Sequence, residues 1–212
     1  MKKVLILGAS GQIAQWVVKE LAHQGEIAMT LLLRNPKRLS GQEPSNAEVV
    51  IGDVLDKALL RQTIAGQDVV YANLTGENLD VQAKNVIAAM QATGVKRLVF
   101  VLSLGIYGEV PGAFGVWNKN IIGEDLQPFR RAADDIEASG LDYTIIRPAC
   151  LTDEDEVDYE LTERHAPFKG TVVSRRSVAD LIARIIAEPS LHMHGNVGVN
   201  KPNTDSDKPY FM

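Results

Sequence analysis

The chain has little of what secreted, membrane-spanning or nucleic-acid-binding proteins need. Its 212 residues include one cysteine, Cys150, so no internal disulfide can form and a reducing compartment is favoured. Asp and Glu outnumber Lys and Arg by 27 to 22, which leaves no global attraction to nucleic acid or anionic lipid. The apolar run at residues 4–7 ends at Gly8 and is too short for a secretion signal or a membrane span. We therefore expect a cytoplasmic protein that binds neither nucleic acid nor membrane.

Short runs rich in Val, Ile and Leu recur along the chain and alternate with segments of helical spacing. Because these runs are continuous, they are typical of strands covered on both faces, as in a parallel sheet. Asp56 and Ser177 are placed to cap two of the helices. The predicted fold class is α/β, a doubly wound parallel sheet in one domain over residues 1–212, with a small elaboration in about 150–212. The predicted strands are 3–7, 27–33, 48–51, 68–71, 97–102 and 143–146, and the predicted helices are 12–21, 56–65, 81–92, 130–138 and 177–187.

The turn after the first predicted strand is the firmest functional signal. It reads Gly8-Ala9-Ser10-Gly11-Gln12-Ile13-Ala14, follows a buried strand directly and opens a helix, whose free N–H groups favour a pyrophosphate. Gly8 permits a tight exit from the strand, Gly11 lets the backbone approach phosphate, and Ser10 adds a hydroxyl donor. The spacing departs from G-x-G-x-x-G, but its position predicts a dinucleotide site that includes Gln12 and Ile13 and makes the fold an NAD(P)-binding Rossmann fold. The alternative is a glycine turn that merely joins strand to helix.

The end of the second predicted strand distinguishes between the two nicotinamide dinucleotides. NAD sites commonly place an acidic residue about twenty residues after the glycines, where it accepts from the ribose 2′-OH. This chain has Arg34 there, followed by Lys37 and Arg38. A guanidinium at that point suits the 2′-phosphate of NADP, so we predict NADP(H) in preference to NAD(H). The alternative is a solvated cation after a strand.

The ends of the third and fourth predicted strands supply further contacts. The Asp53 carboxylate can accept from the adenine amino group while Val54 packs on the ring, although Asp53 is equally typical of a turn. Asn73, Leu74 and Thr75 can line the ribose. Because ligands of such sheets bind at the carboxyl ends of the strands, we expect these residues to share one site.

Several segments together resemble an atypical branch of the short-chain dehydrogenase/reductase superfamily, the NAD(P)H-binding proteins related to NmrA and to flavin or biliverdin reductases. The resemblance covers nearly the whole chain. It implies that Pro148 and Ala149 lie near the nicotinamide and that Ser103 contacts the cofactor. The residues that carry it are the turn 8–14, Leu33-Arg34, Gly52-Asp53-Val54, Leu102-Ser103 and the stretch from Ala138 to Ala149.

One departure from that superfamily bears directly on chemistry. Members that reduce carbonyls or epimerise sugars use a Tyr-x-x-x-Lys pair, in which lysine lowers the tyrosine pKa. No such pair occurs here, and the matching region, residues 124–131, has no tyrosine. Ser103 and Tyr107 follow the fifth predicted strand and are the candidate catalytic residues. Tyr107 resembles the tyrosine of the family's V-Y-G stretch rather than its catalytic tyrosine.

For the other candidate residues we prefer a structural interpretation to a functional one. The acidic residues between 153 and 163 predict a solvated, mobile loop rather than a metal site, and no metal is expected. His192 and His194 are expected on the surface, and Cys150 as a buried, inert thiol. The apolar stretch 111–117 suits a substrate lid or a partner interface.

The preferred hypothesis is an NADPH-dependent reductase of a small conjugated acceptor, such as a flavin or quinone, in which the protein mainly orients the cofactor. The first alternative, allowed by the NmrA resemblance, is a non-enzymatic NADP(H) sensor with a protein partner. The second is an NAD(P)-dependent sugar epimerase or dehydratase, which loses most of its support with the absent Tyr-x-x-x-Lys. The sequence does not determine the oligomeric state.

Overall fold

An eight-stranded sheet forms the centre of the protein in the computed structural model, which describes residues 1–39, 41 and 43–212. The strand order is β3-β2-β1-β4-β5-β6-β10-β8, and all neighbours are parallel except β10 and β8. A separate parallel pair joins β7 to β9. The predicted doubly wound α/β fold is thus confirmed. The strands are β1 (Lys2–Leu7), β2 (Ile27–Leu33), β3 (Ala47–Ile51), β4 (Val69–Ala72), β5 (Arg97–Val101), β6 (Asp142–Pro148), β7 (Cys150–Thr152), β8 (Glu160–Thr162), β9 (Val172–Ser174) and β10 (Gly195–Asn200).

Helices cover both faces of the sheet, which explains why the central strands are apolar throughout. The helices α1 and α6 pack on one face, and α2, α3 and α5 pack on the other. A further helix, α4, lies beyond the end of β5, and only Phe114 and Asn118 of its residues are buried. The helices are α1 (Gln12–Ala22), α2 (Lys57–Ile64), α3 (Leu79–Thr93), α4 (Gly112–Ile122), α5 (Gln127–Glu137) and α6 (Arg175–Ala187), and a 3₁₀ helix spans Pro36–Leu39.

The two predicted helix caps had different outcomes. Asp56 caps α2 as predicted, because its side chain accepts from the N–H groups of Ala58 and Leu59. The prediction that Ser177 caps α6 was wrong. The cap is Ser174, the last residue of β9, whose backbone is extended. Its hydroxyl accepts a hydrogen bond from the N–H of Ser177 at 2.9 Å. Ser177 is therefore a buried first-turn residue of α6.

Residues after 150 contribute to the main sheet, which the sequence pattern did not indicate. The strand β10 contains Gly198, where a Cβ would lie 2.5 Å from the ring of Phe168. A glycine there permits close packing but lowers the local β propensity, so the strand signal was weak. Within the described residues, no helix is long and apolar enough to cross a membrane.

Candidate functional site

An open groove of about 570 Å³ lies at the carboxyl ends of β1, β2, β3 and β4. The chain winds outward from β1 through β2 to β3 and then returns to β4 on the other side of β1. The groove therefore sits at the point where the winding direction reverses, which is where such sheets bind their ligands. Its lining residues are Gly8, Ser10, Gly11, Leu32, Leu33, Arg34, Asn35, Arg38, Gly52, Asp53, Val54, Leu55, Asn73, Leu74, Thr75, Gly76, Asn78 and Gln82.

The turn between β1 and α1 forms the centre of the groove. Gly8 has a φ of +73°, and a Cβ there would lie 2.2 Å from the carbonyl oxygen of Asn73. Only glycine meets both conditions, because it combines a left-handed conformation with the close approach of two strands. Gly11 is the N-cap of α1 and no side chain caps that helix end. The first N–H groups of α1 are thus left for an anion in the groove.

Cationic side chains stand at the β2 end of the groove. Arg34 is 82% exposed, and its Nη1 lies 3.8 Å from Oδ2 of Asp53, a separation that leaves the guanidinium free to take another anion. Arg38, on the 3₁₀ helix, lines the groove as well. The other oxygen of Asp53 accepts from the N–H of Leu55 at 2.9 Å. Asp53 therefore stabilises a turn, which was one of the two roles predicted for it. It also lines the groove.

A buried glutamine holds the loop that follows β4. Gln82, on α3, is 8% exposed, and its Nε2 donates to the carbonyl oxygen of Thr75 at 3.0 Å and to Oδ1 of Asn78 at 2.8 Å. These hydrogen bonds fix the loop after β4, which contains Asn73 and forms one side of the groove. Neither Gln82 nor Asn78 was predicted. The signal available in the sequence was a pair of polar residues, Gln82 and Asn85, on a helix face that is apolar apart from them.

The groove brings together most of the predicted cofactor residues. Gln12 and Ile13 lie in the first turn of α1 and do not line it, and Ile13 is 5% exposed in the core. The nine predicted residues that line the groove are Gly8, Ser10, Gly11, Arg34, Asp53, Val54, Asn73, Leu74 and Thr75.

The residues predicted to lie near the nicotinamide are found further along the same sheet edge. Ser103 follows β5, and Pro148 ends β6. The backbone N–H of Leu102 donates to Ile146, and that of Leu104 donates to Pro148 at 3.3 Å. These bonds tie the segment of Ser103 to the end of β6, beside Pro148 and the buried Ala149. Since β5 neighbours β4, this segment lies beyond the β4 end of the groove. It is not among the residues that line the groove.

The hydroxyl of Tyr107 is engaged inside the protein. It accepts from Nδ2 of Asn196 at 2.8 Å and donates to Oε1 of Glu137 at 3.3 Å, and its ring lies 4.1 Å from the Arg164 guanidinium. Burial and the Glu137 carboxylate raise the pKa of Tyr107, in the direction opposite to that produced by lysine in Tyr-x-x-x-Lys. The residue does not line the groove.

A buried ion pair lies beside Tyr107. Nη1 of Arg147, fully buried at the end of β6, donates to Oε1 of Glu109, which is 6% exposed. Glu109 also accepts from the N–H groups of Gly105 and Tyr107, each at 3.0 Å. Nε of Arg147 donates to Asn196 at 2.7 Å. The pair therefore fixes the loop after β5 to the end of β6 and, through Asn196, to the start of β10.

The second carboxylate of this region is stabilised by hydrogen bonds. Burial alone would raise the pKa of Glu137, but hydrogen bonds from Arg164 and Asn196 more than offset that effect and lower the pKa. Arg164 donates to both of its oxygens, at 2.7 and 2.9 Å. We refer to Glu109, Arg147, Tyr107, Glu137, Arg164 and Asn196 as the buried polar network.

The remaining candidates lie outside the groove. Burial raises the pKa of the half-buried Cys150 thiol to about 11. The acidic segment is held rather than loose, because Arg175 pairs with Asp153, Arg176 pairs with Asp155, and 160–162 form β8. Within the described ranges, no group of three or more His, Cys, Asp or Glu side chains is placed to hold a metal ion.

Comparison with known proteins gives matches over most of the chain. The family described as NAD(P)H-binding matches residues 8–189. A Rossmann-fold NAD(P)-binding family protein from Shigella flexneri is 57% identical over the whole of both chains, with a TM-score of 0.88. A short-chain dehydrogenase/reductase from Veillonella parvula, solved in complex with NADP, is 28% identical over 99% of each chain, with a TM-score of 0.89. An uncharacterized sugar epimerase of Bacillus subtilis, YhfK, is 30% identical over 168 residues, which is 72% of this chain and 73% of the relative.

Proposed function

Since the chain belongs to the NAD(P)H-binding family, we propose that it is an NADPH-dependent reductase of a small conjugated acceptor. Its resemblance to the short-chain dehydrogenases/reductases is confirmed, while the narrower likeness to NmrA and flavin reductases stays a prediction. The observation that carries the proposal is the groove at the switch point of the sheet, which combines an uncapped helix end with Arg34 and Arg38. This combination suits a dinucleotide with an extra phosphate.

The groove residues fit such a cofactor along its length. The first N–H groups of α1 would hold the pyrophosphate. The glycines at positions 8 and 11 let the turn before α1 pack against Asn73, which lines the same groove. Arg34 and Arg38 would bind the 2′-phosphate, which favours NADP(H) over NAD(H). The adenine would lie beside Asp53 and Val54, the riboses along residues 73–75, and the nicotinamide beside Ser103, Pro148 and Ala149.

The chemistry that this arrangement supports needs little from the protein. NADPH supplies a hydride, and a flavin or quinone takes that hydride with its two electrons and a proton from water, giving NADP⁺ and the reduced acceptor. Ser103 then serves as a contact that orients the nicotinamide. Tyr107 does not need to donate a proton, which agrees with the engagement of its hydroxyl by Asn196 and Glu137. A sugar epimerase, the activity in the name of the Bacillus relative, would need the acid–base pair that this sequence lacks.

Purified protein tests the proposal in two measurements. NADPH fluorescence gives the affinity for the cofactor, and loss of the absorbance of reduced nicotinamide gives turnover with flavins, quinones and carbonyl compounds. We expect NADPH to bind and to be oxidised with flavins or quinones but not with simple carbonyls. Tight binding without oxidation by any acceptor in the panel would favour the non-enzymatic NADP(H) sensor instead, with a protein partner to be sought. We also propose a cytoplasmic protein without a nucleic-acid partner, on the basis of its single cysteine and its charge of −5.

A further inference from the structure

The side-chain amide of Gln82 has a fixed orientation in the groove. Gln82 is 8% exposed and lines the groove from α3. Its Nε2 donates to the carbonyl oxygen of Thr75 at 3.0 Å and to Oδ1 of Asn78 at 2.8 Å, which uses both hydrogens of the nitrogen. Because a backbone carbonyl oxygen can only accept, the amide atom that contacts Thr75 must be the nitrogen. The oxygen, Oε1, therefore points away from that loop.

This amide oxygen is open to the groove. Among the residues that the structure describes, none donates a hydrogen bond to Oε1 of Gln82. Oε1 is also not one of the fully buried polar atoms that lack a partner, so it retains accessible surface. Since Gln82 exposes so little of itself and lines the groove, that surface faces the groove. The groove thus contains a hydrogen-bond acceptor that is held in place and unused.

The next turn of α3 places this acceptor beside the position proposed for the adenine. Asn85 follows Gln82 by three residues and lies on the same side of the helix. Its Nδ2 donates to the carbonyl oxygen of Val54 at 3.3 Å. Val54 lines the groove and is the residue on which the adenine is proposed to pack. Because one helical turn rises by only about 5 Å, the Gln82 amide is within reach of the edge of a purine that lies on Val54.

The carboxylate near the same position is already engaged. Oδ1 of Asp53 accepts from the N–H of Leu55 at 2.9 Å, and Oδ2 lies 3.8 Å from Nη1 of Arg34. The base therefore needs an acceptor other than Asp53 for its 6-amino group, which donates hydrogen bonds. A 6-oxo purine carries an acceptor oxygen at the same place. Oε1 of Gln82 would attract the amino group, whereas it would leave the oxygen without a donor.

We propose that Oε1 of Gln82 accepts a hydrogen bond from the 6-amino group of adenine and thereby selects an adenine dinucleotide over a 6-oxo purine dinucleotide. This inference rests on the proposed function, since it concerns the same cofactor groove. It assigns recognition of the base to α3, whereas that contact was one of two roles predicted for Asp53. Thr75 and Asn78 position the Gln82 amide and do not contact the base.

NADPH and its hypoxanthine analogue, in which an oxygen replaces the 6-amino group, test the inference by titration of nicotinamide fluorescence. We expect the unaltered protein to bind NADPH about tenfold more tightly than the analogue, because the analogue leaves Oε1 without a donor. Gln82→Met should lower that ratio to about one, since methionine fills a similar space without a strong acceptor. This variant also frees the loop after β4, which should weaken both cofactors alike and leave the ratio unaffected.

Gln91→Met is the matched control on the same helix. Gln91 is exposed and donates to the carbonyl oxygen of Ser139 at 2.9 Å, so this variant also loses a hydrogen bond to a backbone carbonyl, but away from the groove. It should keep the ratio of the unaltered protein. Asp53→Ala distinguishes the two candidate acceptors, and it should keep the ratio even if it weakens both cofactors. A ratio that is lost in Asp53→Ala but kept in Gln82→Met would assign the base to Asp53 and overturn the inference.

The outcomes separate this inference from the function on which it rests. Equal affinity of the unaltered protein for the two cofactors overturns the role of Gln82 even if NADPH reduces a flavin or quinone, and this measurement needs no variant. Equal weakening of both cofactors in Gln82→Met, with the ratio kept, would mean that Gln82 only holds the loop. A ratio that depends on Gln82 supports the inference even if NADPH is never oxidised, and in that case the reductase function fails alone. Binding of neither cofactor contradicts both.

Discussion

The two halves of the sheet use their polar groups in opposite ways. At the carboxyl ends of β1 to β4, Arg34 is largely exposed, and no side chain caps the N-terminal end of α1. In the half that contains β5, β6 and β10, the buried polar network pairs its groups with one another, and Arg147 is fully buried against Glu109. The polar groups of the first half are therefore available to bind a ligand, whereas those of the second half stabilise the fold by bonding to one another.

This difference means that the groups suited to binding a ligand lie in the first half, while the titratable groups of the second half are unsuited to proton transfer. A general acid needs a group that can release a proton near neutral pH and a position beside the substrate. In the second half, burial and Glu137 raise the pKa of Tyr107, and hydrogen bonds lower the pKa of Glu137. Both shifts move these groups away from neutrality. A fold that retains the groove but arranges its other half in this way suits an acceptor that needs only a hydride.

The largest expected effect comes from breaking the ion pair of the buried polar network. Glu109→Gln should destabilise the protein by about 3–5 kcal/mol, because it leaves the Arg147 charge buried without a countercharge. Urea unfolding at neutral pH measures this. Asp155→Asn is the control, because Asp155 is 73% exposed in its pair with Arg176, and it should cost less than about 1 kcal/mol. Equal losses in the two variants would contradict the contrast between the halves.

Substitutions in the groove should change the affinity for the cofactor rather than the free energy of unfolding. Arg34→Ala should weaken NADPH about tenfold by removing a charge-assisted contact to the 2′-phosphate, and it should leave NADH binding and the unfolding free energy unchanged. Titration of cofactor fluorescence gives both affinities. Lys37→Ala is the matched control, because Lys37 follows Arg34 by three residues, on the 3₁₀ helix, but does not line the groove. If NADPH and NADH bind Arg34→Ala and the unaltered protein alike, the predicted cofactor preference is wrong.

Acid should weaken the buried half through Glu137. Because its folded pKa lies below the ordinary glutamate value of 4.5, its contribution to stability is present above pH 4.5 and is lost as the pH falls through the folded pKa. Glu137→Gln should therefore cost about 1–3 kcal/mol at neutral pH and progressively less below pH 4.5. Asp134→Asn, in an exposed pair with Arg130, should cost less than about 0.5 kcal/mol. A difference between Glu137→Gln and the unaltered protein that stays constant with pH would exclude this role.

The sequence predicted the first half of the sheet far better than the second. The groove depends on local signals: glycines at a strand exit, an arginine at a strand end and small polar residues after a strand. The buried polar network depends on pairs that are remote in the chain, such as Arg147 with Glu109, 38 positions apart, and Arg164 with Glu137, 27 apart. No periodicity reports such pairs. A buried arginine also looks like a surface residue until its partner is known.

The same reason explains the missed strand β10. Asn196 and Gly198 are poor strand formers, and each is needed by a distant neighbour: Asn196 by Arg147, and Gly198 by the ring of Phe168. Tertiary contacts thus override local propensity at these positions. The helix α4 was missed because its apolar residues fitted a lid or an interface equally well.

The last expected effect is on the rate at which Cys150 reacts, and it concerns the second half alone. Cys150 begins β7 next to Ala149, and burial raises its pKa to about 11. At pH 8 its alkylation by iodoacetamide should be at least about tenfold slower than that of an ordinary thiol with a pKa near 8.5, because so little thiolate is present. The rate should keep rising with pH beyond 9, and mass spectrometry of the modified protein follows it. The same protein unfolded in urea is the control and should react at the ordinary rate. Rapid alkylation of the folded protein at pH 8 would mean that Cys150 lies in an open, polarised environment, and it would then have to be considered as a reactive group beside the nicotinamide.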